Sequence, residues 1–218
     1  MKNIKILIVA LLALAVLAGC APKEEPKEAI KAVFVVRTNL GDKSFNDSAW
    51  SGLKMTEDEL GWEVSAVEIG GDQTKYEATI MDAAESDADV ILVGSAALVE
   101  LANQYADDYP EKQWIFFDVA PTFENTHDNA YAISFKQNES SFLAGALAGL
   151  LTETNNIGFV GGTENIVIND FLVGYINGAK TTNPDIKVQV SFIGSFSDAA
   201  KGKELGLVQI DNGADVVH

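Results

Sequence analysis

The stretch AVFVVRTNLGDKSFNDSAW, Ala32–Trp50, begins as an apolar run and turns abruptly into a polar loop. Ala32–Val36 is short, unbroken and rich in β-branched residues, which predicts a strand buried on both faces. Gly41 to Asp47 then place Asp42, Lys43, Ser44, Phe45, Asn46 and Asp47 in succession, ahead of a helical pattern expected from Phe45 to Leu60. Asp42 or Ser44 can cap that helix by accepting its free N–H groups. Capping leaves Phe45 unexplained: a large ring at a helix start, close to a strand end, serves either as a stacking platform or as a staple against a later helix residue.

The same unit recurs along the chain. WEVSAVEI alternates as a strand, QTKYEATIMDAAES is helical, ADVILVG is a buried strand with its helix AALVELANQYADDY, and KQWIFFD is the next strand. AYAISF (Ala130–Phe135) follows, then a small-residue helix SSFLAGALAGLLTET. The strand IGFVGG, the helix VINDFLVGYINGAKTT, the strand IKVQVSFIG, the helix DAAKGKELGLVQIDN and a final ADVVH complete it. Short links between alternating strands and helices mean parallel sheets covered by helices, here in two lobes. The first lobe is expected over 30–137, and a crossover with an incomplete second lobe over 138–218; a sheet edge left open at the last strand reads as truncation.

The N-terminal MKNIKILIVALLALAVLAGC is set apart as a targeting segment, with Lys2 and Lys5 ahead of an apolar stretch too short for an ordinary span. Its end, Leu17-Ala18-Gly19-Cys20, reads as a lipobox, so residues 1–19 are a lipoprotein signal peptide and Cys20 is the lipidation site, acylated (palmitate) at its thiol and again at the new N-terminus. The charged, Pro-containing residues 20–29 form a tether. Cys20 is the only cysteine, so the domain has neither a disulfide nor a thiolate metal site.

The chain has 218 residues and a formal net charge of -17, which excludes the basic footprint of a nucleic-acid binder. Arg37 is the only arginine, and the scarcity of this usual anion clamp points to a neutral or weakly charged small-molecule ligand. Ligands of open parallel sheets sit beyond the carboxyl ends of the strands. Those ends carry Asp42–Asn46, Gly70-Gly71-Asp72, Gly94-Ser95, Asp118, Gly161–Asn165 and Ser195–Asp198. Asp118 can accept two hydrogen bonds from a vicinal diol or from a base edge, or can serve as a turn residue. Phe171 and Phe196 are either core rings or binding rings.

Enzymatic patterns are weak. Ser95 in VGSAAL lacks the second glycine of a nucleophile elbow, and GFVGGTEN is neither a dinucleotide fingerprint nor a P-loop. His127 and His218 are too few for a metal cluster, and Asp118 with Glu124 makes a poor acid/base pair. No catalytic residue, metal or cofactor is expected.

DKSFNDSAWSGL, FLAGALAGLLTETNNIGFVGG, VINDFLVGYINGAK and IGSFSDAAKGKELG, taken in order, resemble the basic membrane protein family of bacterial lipoproteins, similar to the purine-nucleoside-binding proteins of ABC importers. The resemblance implies a type I periplasmic-binding-protein fold with two lobes hinged around a nucleoside, a permease of an ABC transporter as partner, a monomer, and a place on the extracytoplasmic face of the cell membrane. It implies Phe45 as the stacking ring of the first lobe, with Asp42, Ser44, Asn46 and Asp118 as polar contacts and Phe196 or Phe171 as the opposing ring. It also implies that family members continue past His218 with further pocket residues. Two other ligand readings stay open on the residues alone, a sugar or other small polar molecule; so do an exported nucleoside hydrolase and a surface adhesin.

Overall fold

The computed structural model describes residues 28–218. The signal segment, Cys20 and the tether up to residue 27 lie outside the described residues. The first lobe runs β1 (Lys31–Val36), α1 (Phe45–Leu60), β2 (Glu63–Glu68), α2 (Tyr76–Glu85), β3 (Val90–Gly94), α3 (Ala96–Asn103), β4 (Gln113–Phe117) and β5 (Ala130–Ile133). These strands form one parallel sheet in the order β2-β1-β3-β4-β5. The second lobe has α4 (Gln137–Leu151), β6 (Asn156–Gly161), α5 (Ile166–Thr182), β7 (Lys187–Phe192), α6 (Ala199–Asp211) and β8 (Val216–Val217), with a parallel sheet β7-β6-β8.

Burial explains why the central strands read as unbroken apolar runs. Alternate residues of β1 point to opposite faces. Val33 and Val35 join Ile91, Val93, Trp114 and Phe116 on one side of the sheet, while Ala32, Phe34 and Val36 join Leu53 and Phe117 on the other. Each large side chain so buried contributes about 1.5–3 kcal/mol. β2, at the sheet edge, keeps a polar outer face and therefore alternates.

Several helix boundaries differ from the sequence reading, two of them with a clear cause. The helix expected from Ala96 to Tyr109 stops at Asn103 and gives way to a short 3-10 turn at Ala106–Asp108. There the Asn129 side-chain nitrogen donates to the carbonyls of Ala106 (2.8 Å), Tyr109 (3.0 Å) and Lys112 (3.1 Å), which holds the chain in a path a continued helix could not follow. The small-residue helix starts three residues before Ser140, at Gln137, because a polar first turn adds no apolar periodicity.

α4 and α5 meet backbone to backbone. A Cβ on Gly178 would lie 1.9 Å from the Phe142 carbonyl oxygen, and one on Gly145 would lie 2.0 Å from that of Tyr175. Only glycine allows this approach, so the seam is rigid. At the far end of β6, Asp215 accepts from the Thr152 hydroxyl (2.6 Å) and from the N–H groups of Glu153 (2.6 Å) and Thr154 (3.0 Å). The Thr152 bond, and then the two backbone N–H bonds, bring its carboxyl down to about 2 against the opposing effect of desolvation.

Gly178→Ala should lower unfolding stability by about 1–3 kcal/mol through overpacking. Gly206→Ala on α6, where nothing lies within 4 Å of the new Cβ, should be neutral or stabilising; urea unfolding of both variants reads the difference. Because the folded carboxyl of Asp215 titrates below its unfolded value, its stabilisation is present above the unfolded pKa and disappears as pH falls toward about 2. Asp215→Asn should therefore be less stable than the natural chain at neutral pH, and a pH series of melts should show the gap closing in acid.

Candidate functional site

Parallel strands in both sheets send their carboxyl ends toward a single cavity of about 930 Å3 between the lobes. All seven side chains expected to hold a ligand line it: Asp42, Ser44, Phe45, Asn46 and Asp118 from the first lobe, Phe171 and Phe196 from the second. The link between the sheets contributes too, since Phe135 and Lys136, between β5 and α4, stand in its wall.

The loop before α1 is held by two aspartates working in opposite directions. The Asp42 carboxylate accepts from the N–H groups of Ser44 (2.9 Å), Asn46 (2.9 Å) and Asp47 (3.2 Å), so Asp42 caps the helix while the Ser44 hydroxyl makes no capping bond. Asp47 returns the favour by accepting from the N–H groups of Gly41 (2.6 Å) and Lys43 (2.8 Å). Desolvation alone would raise the Asp42 carboxyl; the N–H groups of Asn46, Ser44 and Asp47 outweigh it and hold the carboxyl below the usual range. Asp42 is thus chiefly a builder of the loop. Asn46 is buried, and its side-chain nitrogen donates to the Thr38 hydroxyl (2.9 Å) and to the Asn39 carbonyl (3.1 Å), which leaves the carboxamide oxygen as its remaining polar atom.

Phe45 is the product of this scaffolding. Its ring is 38% exposed and stacks on Phe117 at 5.2 Å between centroids and 25° between planes. Phe117 in turn packs against Phe34 of the core strand. The ring is thus backed by a strand residue and lines the cavity, as a stacking platform would.

Two more strand ends carry strained backbones. Asp118 has φ 56 and Ser95 has φ 77, left-handed values that ordinary side chains avoid. Each turn aims its side chain at the cavity directly after a buried strand. The Asp118 carboxylate makes no hydrogen bond or ion pair among the described residues, and burial pushes it up to about 6.

In the second lobe, Asn165 caps α5 by accepting from the N–H groups of Val167 (3.0 Å) and Ile168 (3.1 Å). That start of the helix places Phe171 one turn further on, packed against the lobe's core as well as lining the cavity. Phe196 is 48% exposed; it lies against Gly162, where a Cβ would come within 2.5 Å of the ring.

Of the lining residues that sequence reasoning missed, Arg37 and Gln137 are the most informative. Arg37 was weighed only as a count, yet its position directly after β1 was the available signal. Its guanidinium carbon lies 5.0 Å from the centroid of Phe196, across the cleft. Gln137 begins α4, is only 4% exposed, and neither polar atom of its carboxamide has a partner among the described residues. Nothing in the sequence distinguished it from a solvated helix-start residue. Among the described residues no group of three or more His, Cys, Asp or Glu side chains is placed to hold a metal ion.

Comparison with known proteins agrees with this architecture. Residues 29–218 match the family model described as ABC transporter substrate-binding protein PnrA-like. The chain is 34% identical over 227 residues to the ABC transporter nucleoside-binding protein BmpA of Lactococcus lactis subsp. cremoris, covering 100% of this chain and 64% of the relative. It is 29% identical to Basic membrane protein A of Borreliella burgdorferi, over 98% of this chain and 63% of that protein. The chain thus spans less than two thirds of the length of these relatives. Among solved structures, an ABC transporter solute-binding protein from Aeropyrum pernix superposes with a TM-score of 0.77 at 25% identity, over 86% of this chain and 54% of that one. Another from Conexibacter woesei gives 0.65 at 22% identity, over 87% and 63%. The fold is that of type I periplasmic-binding proteins, and with its match running through both lobes the chain belongs to the PnrA-like family of ABC transporter substrate-binding proteins.

Proposed function

We propose that the chain is the ligand-capturing part of a lipid-anchored, extracytoplasmic receptor, which closes its lobes on a purine nucleoside and delivers it to the permease of an ABC importer. The observation that carries this reading is Phe45: a ring backed by Phe117, held by a self-capped loop, and presenting its other face to a cavity lined by both lobes. The name of the Lactococcus relative supports a nucleoside as the ligand class. The lobes are taken as 30–137 and 138–218, with the anchor on Cys20 and the receptor acting as a monomer.

A flat base resting on Phe45, with Phe196 or Phe171 on its other side, gains about 0.5–1.5 kcal/mol per ring beyond the area it buries. In this reading Asp118 accepts two hydrogen bonds from a ribose diol or from base N–H groups, and its unpartnered carboxylate makes a ligand lacking those donors costly to enclose. Micromolar affinity needs about 8 kcal/mol, within reach of such a pocket. No bond is broken in this scheme, and closure about the link at residues 134–136 buries the ligand and creates the surface offered to the permease.

Calorimetric titration of the full-length chain should give binding to purine nucleosides and none to nucleotides, with Phe45→Ala weaker by at least about tenfold. A folded full-length protein that gives no heat with any nucleoside would sink the proposal. Ligand donors favour the ionised form of Asp118, so below about 6 a proton must leave before the ligand is held. Affinity should therefore rise as pH passes upward through about 6 and then level off, and Asp118→Asn should bind more weakly with no such rise. A flat profile for the natural chain would remove Asp118 from the contacts.

A further inference from the structure

Arg37 is the only arginine in a chain of net charge -17, yet it forms no ion pair among the described residues. Its guanidinium is fixed by neutral groups alone. Nε donates to the Tyr76 hydroxyl at 2.9 Å, and Nη1 donates to the Ser95 hydroxyl at 3.3 Å. Tyr76 is buried, which makes it a firm anchor, and Ser95 sits on the left-handed turn after β3. Phe196, from the other lobe, lies under the cation. A guanidinium has five N–H donors and no acceptor, so three donors remain without partners, on a side chain that lines the cavity.

Such a group recognises two acceptors placed side by side, and it repels an edge that presents a donor. Purines differ on this point. A 6-oxopurine offers O6 and N7 together as acceptors, whereas a 6-aminopurine offers N7 beside a donating amino group. We infer that Arg37 is a specificity-determining residue that reads the O6/N7 edge and selects 6-oxopurine nucleosides over 6-aminopurine nucleosides. The inference rests on the nucleoside reading above and narrows it. Asp118 complements this choice, since an acceptor-only carboxylate and a donor-only guanidinium must face different edges of the ligand.

The test is titration of the full-length chain with guanosine, inosine, adenosine and 7-deazaguanosine, repeated with Arg37→Met and Arg37→Lys. The natural chain should bind guanosine and inosine at least about tenfold more tightly than adenosine, and 7-deazaguanosine more weakly than guanosine. Arg37→Met, which keeps the stem and loses the donors, should lose most of that preference. Arg37→Lys should keep part of it as a point charge. Equal weakening toward every nucleoside in Arg37→Met would make Arg37 a wall of the cleft and overturn the inference. So would a natural chain without preference, or one indifferent to the loss of N7; these two outcomes need no variant and stand even where Arg37→Met fails to fold. Absence of all nucleoside binding would instead remove the nucleoside reading itself, and the inference with it.

Discussion

Every strand pairing in both sheets is parallel, and this one constraint places nearly everything else. Parallel neighbours deliver their carboxyl ends to the same side, so the loops that must turn back into helices gather there. Those turns are tight. Lys43, Ser95 and Asp118 adopt left-handed backbones at a cost of about 1–3 kcal/mol each, and all three stand on the cleft side of the first lobe. Strain of this kind survives only where the surroundings enforce it, here a sheet buried on both faces and a loop tied by Asp42 and Asp47.

The charge distribution follows from the same geometry. The chain is strongly acidic overall, but its cleft is not a uniformly acidic surface: a half-buried carboxylate at Asp118 and a guanidinium at Arg37 both line it, on the turns after β4 and β1, with β3 between them in the sheet. Each lacks an opposite charge among the described residues, and each is expensive to keep in that condition unless a ligand completes it. A pocket that combines donor-only groups (Arg37, Lys136), acceptor-only groups such as Asp118, and phenylalanine rings discriminates among polar planar molecules by pattern. Net charge contributes little to that choice.

The elements that sequence reading recovered are those whose signal is apolar and local. β1, β3 and β4 were legible because both of their faces are buried, and α1 because its loop carries a cap. Phe45 stood out because capping, the role of its polar neighbours, did not account for it. What escaped depends on distant partners. The early end of α3 is imposed by Asn129 from a later loop, the isolation of Gln137 is a property of its packing, and the role of Arg37 lies in a contact with Phe196 from the other lobe. Composition gave no position for Arg37: the rarity of arginine was read as a property of the ligand, and the single arginine lines the cavity.

The two lobes set their rings by unlike means, and this bears on how closure could be transmitted. Phe45 is referenced to the first sheet through Phe117 and the capped start of α1, whereas Phe196 is referenced to the second through Gly162 at the end of β6. Neither ring can shift far without disturbing its own lobe. The second lobe is stiffened further by the α4–α5 seam, where glycines bring backbones into contact. Among the described residues, 134–136 join the last strand of the first sheet to the first helix of the second lobe. Phe135 and Lys136 of that link line the same cavity as Phe45 and Phe196, so one cavity draws on both lobes and on the segment between them.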